Sequence, residues 1–572
     1  MSLSKSKSAK FIILIVLIGV LLHTSFVINS NAQKQAKSSN KSALKLDQLI
    51  SKFCKSNEPG VSVAVIKDGD FVYKYSIGMA NLEYDIPISS STVFHVASVS
   101  KQFTIFSILL LEQEGKLSID DDIRKYFPEM ADYGDTIRLR HLANHTSGIR
   151  DIFDLTNLVG IRNEDMISND QTIKLITSQK GLNFKPGEKY EYCNSGYILL
   201  AEIVKRVSGL TFSEFTSSRI FKPLKMTNSQ FLDFPELIIK NKAYSYFKQD
   251  TTYYKSLLNF SFVGSTGLNT TTDDLAFWAL NFERKVIGND IIFNKMQERG
   301  RLNNGNLIPY ALGQELKNYK GLEVVFHGGG DAGYRSYLLR IPKHKFSLMI
   351  LSNSQEFNPL DIAYEIVDFY LGSKEVEEVE HKSDSQIEPS LMNYFVGNYE
   401  ILSGLIATFT KSDNSLFLQF VGDTQKLELP QINRNEFIYP NLPHSKFVFN
   451  TLDGKKSNEL KWHVSDFVYE GNRIELTEFD KTKVNLKDFV GQYYNPEVNT
   501  MYQFLIKENQ LVARHNKNDD INLLPLQPDI FISNMSFFGE VKMIRNERNK
   551  VIGFYLSGQK SKKIKFEKLN IN

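Results

Sequence analysis

Short β-prone runs stand at both ends of one long region. Val61-Ser62-Val63-Ala64-Val65-Ile66 and Phe71-Val72-Tyr73-Lys74-Tyr75 flank Lys67-Asp68-Gly69-Asp70, the pattern of a hairpin closed over an Asp-Gly turn. Helical and loop-rich sequence then runs to about residue 315, and three more β-like runs follow: Leu322 to Phe326, Tyr334 to Ile341, and Phe346 to Leu351. One sheet assembled from both ends, with helices between, is an α+β domain. Leu44, Leu46, Leu49, Ile50 and Phe53 predict an amphipathic helix from Ala43 to about Asn57. Phe103 to Leu111 predicts an apolar helix ending near Gly115, and a last helix is expected from about Pro359 to Leu371.

Past that helix the texture changes. Gly372 to Ser390, with Glu375, Glu377, Glu378 and Glu380, reads as a charged linker, and short aromatic-rich β runs follow. Phe395-Val396-Gly397-Asn398-Tyr399 recurs as Phe489-Val490-Gly491-Gln492-Tyr493, which suggests two copies of one small β unit. A chain of 572 residues has room for about three or four domains. The expected division is a signal peptide at 1–32, a polar leader at 33–43, the α+β domain at 44–372, a linker at 373–390, and β units at 391–480 and 481–572.

Lys5, Lys7 and Lys10 precede the apolar run Phe11 to Leu22, and Ser30-Asn31-Ala32 stands before Gln33, the layout of a secretory signal peptide. Cleavage there would leave a periplasmic or extracellular protein. The alternative is a membrane anchor, with the apolar stretch reaching Ile28, but spanning needs about 20 mostly apolar residues. These three lysines account for the whole formal charge of +3. From Lys34 onward acidic and basic residues balance, which argues against nucleic acid or an acidic membrane surface as partner. Cys54 and Cys193 are read as free, and with scattered His and no HExxH or CxxC pair, neither metal nor cofactor is expected.

Three short patterns could carry chemistry. Ser98-Val99-Ser100-Lys101 places Lys101 one turn after Ser98 at the start of the apolar helix, and an amine made less basic by burial can take a serine proton. The spacing alone means little, since Ser2 and Lys5, or Ser557 and Lys560, share it. Tyr192-Cys193-Asn194 offers a phenol and an amide to one site, although Tyr439-Pro440-Asn441 has the same form. His327-Gly328-Gly329-Gly330 follows a β run and leaves bare backbone, against which a substrate chain can pair.

In that order and within one domain, the three patterns resemble the β-lactamase-related serine hydrolases: class C β-lactamases, D-alanyl-D-alanine carboxypeptidases and related esterases. The resemblance covers about Leu44 to Leu371. It extends to Leu142-Ala143-Asn144-His145-Thr146-Ser147-Gly148-Ile149, to Phe184-Lys185-Pro186-Gly187 and to Asn194-Ser195-Gly196-Tyr197. Pro223 to Thr227, Gly267 to Thr270 and Gly329 to Tyr334 follow in order. It implies a β-lactamase/transpeptidase-like fold, an antiparallel sheet flanked by helices with a helical subdomain. The tandem β units resemble the small lipocalin-like barrels often appended to this family.

The resemblance also implies roles. Ser98 would be the acylated nucleophile. Lys101 would deprotonate it, or supply the field that lets Tyr192 do so, and Tyr192 would pass the proton to the leaving group. Asn194 would orient Lys101 and a substrate amide, with His327, Gly329 and Gly330 lining the substrate and a backbone N–H near Gly330 completing the oxyanion site with that of Ser98. Histidine at 327, where many relatives have lysine, weakens a fixed positive charge and favours D-amino-acid peptides or esters over β-lactams. The expected partner is thus a small peptide, ester or cell-wall-derived substrate. The competing expectation is a catalytically silent protein that binds cell-wall fragments or lipids on the same fold.

Overall fold

The computed structural model describes residues 43–569, apart from 163, 373–388, 443–444, 451–454, 465–466 and 477–478. The expected signal segment, the leader but for its last residue, and the linker but for its last two therefore lie outside the described residues. Within them, no helix is long and apolar enough to cross a membrane.

Six strands form the central antiparallel sheet: β1 (Val61–Lys67), β2 (Asp70–Ile77), β3 (Glu315–Tyr319), β4 (Leu322–Asp331), β5 (Tyr334–Ile341) and β6 (Phe346–Ser352). Their spatial order is β3-β4-β5-β6-β1-β2. The two ends of the region meet where β1 pairs with β6, Val61 opposite Ser352 and Lys67 opposite Phe346. The hairpin turn has positive φ at both Asp68 (53°) and Gly69 (90°), the backbone that a two-residue turn needs to match strand twist.

Alternation along these strands serves two cores. Val61, Val63, Val65, Leu348 and Ile350 pack with Leu46, Ile50, Ile362 and Ile366, from the helix at 43–50 and the helix Leu360–Leu371. Ala64, Ile66, Met349 and Leu351 face the opposite way, onto Phe103, Phe106 and Trp278 of the helices Lys101–Gln113 and Thr272–Arg284. A sheet covered on both faces explains why its strands read as unbroken apolar runs.

Two elements differ from the sequence reading. The first helix ends at residue 50, because the chain must turn before entering β1 and Pro59 disfavours helical backbone at Glu58. Strand β4 does not end at Phe326 but continues through all three glycines to Asp331.

The C-terminal β units are not equivalent. Strands between Gly397 and Ile474 form a nine-stranded sheet whose end strands are Leu427–Leu429 and Gln431–Asn433, separated by Pro430, which has no N–H to donate. Strands between Gly491 and Lys568 close into an eight-stranded barrel, Tyr493 pairing with Lys568. The sequence echo is nonetheless a shared device. Tyr399 and Tyr493 each donate a hydroxyl hydrogen bond to the carbonyl of the Phe four residues earlier, at 3.1 and 2.7 Å. Gly397 and Gly491 take φ of 148° and 151°, and Arg473 and Lys568 lie over the respective tyrosine rings.

The closed barrel docks on the α+β domain. Leu155 and Leu158, on the helix Ile152–Leu158, are buried among Tyr502, Phe538 and Phe566 of the barrel core. Tyr502 Oη donates to the Leu158 carbonyl (2.9 Å), and Arg150 pairs with Glu497 (2.8 Å) in a nearly dry setting.

Candidate active site

Ser98 lies in a 3₁₀ turn, Ala97–Ser100, that leads into the helix Lys101–Gln113. Ala97 has φ of +45°, a conformation that costs a residue with a Cβ roughly 1–2 kcal/mol. That strained corner leaves Ser98 half-buried while Lys101 is fully buried (0% exposed). Lys101 Nζ lies 3.0 Å from Ser98 Oγ, 2.9 Å from Asn194 Oδ1 and 2.8 Å from the Ser265 carbonyl.

Two of these three partners can only accept, so two N–H bonds are committed to Asn194 and Ser265. The third position of the nitrogen faces Ser98. In an ammonium it is a hydrogen; in the neutral amine it is a lone pair aimed at the serine hydroxyl. Burial pushes Lys101 down to about 7; Asp151 opposes that shift and Lys560 adds to it. The base form is therefore accessible at neutral pH.

Asn194 begins the helix Asn194–Ser208, and its amide orientation is fixed from behind. Both its backbone N–H and its Nδ2 donate to Asp151 Oδ2, at 2.5 and 3.2 Å, which leaves Oδ1 for Lys101. Asp151 also caps the helix Ile152–Leu158, its carboxylate accepting from Phe153 N–H. Sequence reasoning missed Asp151. The cap pattern before an apolar helix was legible, but nothing local indicates that the same carboxylate reaches Asn194.

Tyr192 is half-buried beside Ser98, with Lys101 Nζ 4.8 Å from its ring centroid. His145 packs against the same ring at 4.2 Å and is held neutral by burial. Burial also pushes the Tyr192 phenol well above its usual range, while its hydrogen bond with Ser98 acts the other way. The environment thus favours a neutral amine and a neutral phenol. Of the two roles the resemblance allowed for Lys101, direct deprotonation fits these surroundings better than a field that ionises Tyr192. Cys193 is buried and free, its thiol raised by burial and its Sγ donating to the Ile149 carbonyl (3.4 Å).

Strand β4 passes directly over the nucleophile. Its pairing with β3 stops at Phe326 opposite Glu315, while its pairing with β5 continues to Asp331 opposite Tyr334. Residues 328–331 therefore have an edge that β3 does not pair, and none of them is fully buried, so a strand can be added there. A Cβ at Gly329 would sit 2.5 Å from the Val96 carbonyl oxygen, 2.3 Å from Ser336 Oγ and 3.1 Å from Ser98 N. At Gly330 the nearest atom is Arg335 Nη1 at 3.6 Å, so Gly329, rather than Gly330, is the position where the strand must be bare. Gly329→Ala is expected to lower kcat/KM about 100-fold, because strand and serine backbone must part by a fraction of an ångström. Its unfolding midpoint should fall by the equivalent of about 1–3 kcal/mol, measured alongside.

His327, at the head of the glycine run, is buried. Its ring is 2% exposed, with Nδ1 2.6 Å from the Gly328 carbonyl and Nε2 2.9 Å from Tyr310 Oη. Because the carbonyl only accepts, Nδ1 carries the proton and Tyr310 donates to Nε2. Burial, aided by Lys101, pushes His327 down to about 3, so it contributes no charge at neutral pH. Its ring centroid lies 6.3 Å from that of Tyr192. Asp331, one residue beyond the glycines, accepts from Thr266 Oγ1 (2.7 Å) and lies 3.1 Å from His95 Nε2, tying β4 to the segment whose Ser265 carbonyl holds Lys101.

Residues 46–369, more than half of the chain, match the family described as Beta-lactamase. The chain belongs to the beta-lactamase family. It is 30% identical over 395 residues to penicillin-binding protein 4* of Bacillus subtilis (strain 168), a match covering 64% of this chain and 85% of the relative. It is 27% identical over 296 residues to a D-aminopeptidase of Gluconobacter oxydans (strain 621H), covering 52% of this chain and 56% of that relative, so little more than half of its length. The fold is shared with the octameric penicillin-binding protein homologue from Pyrococcus abyssi, at a TM-score of 0.53 and 23% identity over 76% of this chain and 99% of that one. The beta-lactamase family membership, the α+β fold and the C-terminal β units agree with the sequence reading. Among the described residues there is no group of three or more His, Cys, Asp or Glu that could hold a metal ion.

Proposed function

We propose that the protein is an exported serine hydrolase that forms an acyl-enzyme at Ser98 and cleaves amide or ester bonds, with D-amino-acid peptides or esters as substrates. The observation that carries this reading is Lys101, fully buried and in contact with Ser98, Asn194 and Ser265. Lys101 in its amine form takes the Ser98 proton as Oγ attacks the substrate carbonyl carbon. The oxyanion is met by the Ser98 N–H and backbone of β4. Tyr192 delivers a proton to the leaving nitrogen or oxygen as that bond breaks, and the proton held by Lys101 replaces it. Water then attacks the acyl-enzyme with the same groups acting in reverse, returning Ser98 to its starting form.

Relatives named as penicillin-binding protein and D-aminopeptidase support an amide or peptide substrate. The neutral, enclosed His327 supports peptides and esters ahead of β-lactams, since it offers no charge to a β-lactam carboxylate. Export rests on the Lys5, Lys7, Lys10 and Phe11 to Leu22 pattern before Ser30-Asn31-Ala32. Purified protein beginning at Gln33 is expected to turn over a p-nitrophenyl ester and a D-alanyl peptide faster than a cephalosporin. A cephalosporin hydrolysed at the higher kcat/KM would reverse the assignment of substrate.

A further inference from the structure

Residues 150–158 of the α+β domain touch the closed barrel on one side and the helix that holds the base on the other. On the barrel side, Arg150 donates to the carbonyls of Lys562 and Lys563 (both 3.1 Å), and Asp151 N–H donates to the carbonyl of Lys560 (3.1 Å). Lys560 N–H donates back to Asp154 Oδ2 (2.7 Å), and Asn518 Nδ2 donates to the Asn157 carbonyl (2.9 Å). Leu155 and Leu158 lie in the barrel core, and Glu497, whose carboxylate pairs with Arg150, also accepts from Lys180 N–H (2.9 Å). The barrel thus grips this segment along its whole length.

On the other side the segment meets the first two residues of the helix Asn194–Ser208. Ser195 Oγ donates to the Arg150 carbonyl (2.7 Å), and Asp151 Oδ2 accepts from Asn194 N–H (2.5 Å) and Nδ2 (3.2 Å). Asn194 Oδ1 then accepts from Lys101 Nζ (2.9 Å). Arg150 and Asp151 are 3% and 1% exposed, so water does not stand in for a bond lost here, and an unpaired group would carry its full desolvation cost. Barrel and base therefore meet in one residue: the Asp151 N–H belongs to the barrel contact and its carboxylate to Asn194.

We infer that Asp151 is a positioning residue through which the docked barrel holds the base on its nucleophile. The inference rests on the acyl-enzyme reading of Ser98, in which the lone pair of Lys101 must point at Oγ. An Asn194 amide released from Asp151 can turn over and present Nδ2 to Lys101. The lone pair then accepts from that amide instead of from the serine hydroxyl. The C-terminal barrel is on this account an activator carried within the chain. With the barrel docked, the base is aimed; with the barrel lifted off, the central sheet persists and the base is not.

The test uses the full chain from Gln33 and two variants. Glu497→Lys sets a second cation against Arg150 in a nearly dry contact, at a position outside the barrel core. Hydrogen exchange of the helix Ile152–Leu158 reports the barrel contact, exchange of β1 and β6 reports the sheet, and the rate of fluorophosphonate labelling at Ser98 reports the base. In Glu497→Lys the helix should lose protection, β1 and β6 should keep theirs, and labelling at about pH 8 should slow about 10- to 100-fold, the cost of a misplaced catalytic group. If the helix stays protected, Leu158→Asp replaces Glu497→Lys, because a carboxylate will not remain in the barrel core. Asp151→Asn should slow labelling by a similar factor and move its pH midpoint downward, since the Asp151 charge raises Lys101. A purely structural loss would lower the rate at every pH alike. Combined with Glu497→Lys, Asp151→Asn should slow labelling by less than about a further twofold, because both act on one link. An exchanging helix with labelling within about twofold of wild type overturns the inference. So do effects that multiply in the combined variant, Asp151→Asn labelling within about twofold of wild type, or loss of protection in β1 and β6 as well. Each of these leaves the hydrolase reading standing, whereas failure of wild type to label at Ser98 overturns both.

Discussion

Ser98→Ala is expected to lower turnover of any accepted ester or peptide by about 10⁴-fold or more. The expectation follows from how much of the site converges on one oxygen. Lys101, Tyr192 and the bare strand at Gly329 are all arranged around the Ser98 hydroxyl and its backbone N–H, within 3.0 Å for Lys101 Nζ and 3.1 Å for a Cβ at Gly329. Alanine leaves the backbone donors in place, so the fold and ligand affinity should survive while covalent chemistry does not. A protein that only holds cell-wall fragments or lipids would be indifferent to this substitution. Steady-state kinetics with binding measured in parallel separates the two: lost turnover with retained binding supports the enzyme, and unchanged residual hydrolysis contradicts it.

Lys101→Met is the second large effect, expected to reduce the acylation rate by about 10²–10⁴-fold, the usual worth of a positioned base. Methionine keeps the length and the apolar packing of the side chain but has no proton-accepting amine. The wild-type pH profile should carry the same signature. Burial brings Lys101 from 10.5 to about 7, and the active form is the amine, so kcat/KM should rise with pH up to about 7 and level off above it. Loss of the Lys560 charge would raise that limb and loss of the Asp151 charge would lower it, because their effects on Lys101 have opposite sign. A profile that falls through pH 7 as pH rises would place the active proton on the wrong side of Lys101.

Much of the scaffold is legible in the sequence because its signals are local. Alternating and continuous apolar runs marked β1, β2, β5 and β6, and the Asp68-Gly69 turn needed no tertiary context. The order of Ser98, Tyr192 and His327 pointed to one cleft although each motif alone is common. What could not be read depends on contacts between distant segments. That His327 is buried and bonded to Tyr310 could not be read, because Tyr310 has no motif of its own. The choice between Gly329 and Gly330 turns on a carbonyl of Val96. Lys560 first looks like a chance repeat of the Ser-x-x-Lys spacing, and only the docking of the barrel on Arg150, Asp151 and Asp154 brings it beside Tyr192. The open nine-stranded sheet was likewise hidden, since the Phe-Val-Gly echo marks how each unit begins and not whether it closes.

The central claim is that the chemistry passes through a covalent bond to one oxygen atom. Mass spectrometry of the intact protein after exposure to a fluorophosphonate, followed by peptide mapping, tests it most directly. A single adduct on the peptide containing Ser98, absent from Ser98→Ala and slowed in Lys101→Met, is the result expected here. An adduct on any other residue, or none across several probe classes at pH 8, would contradict it.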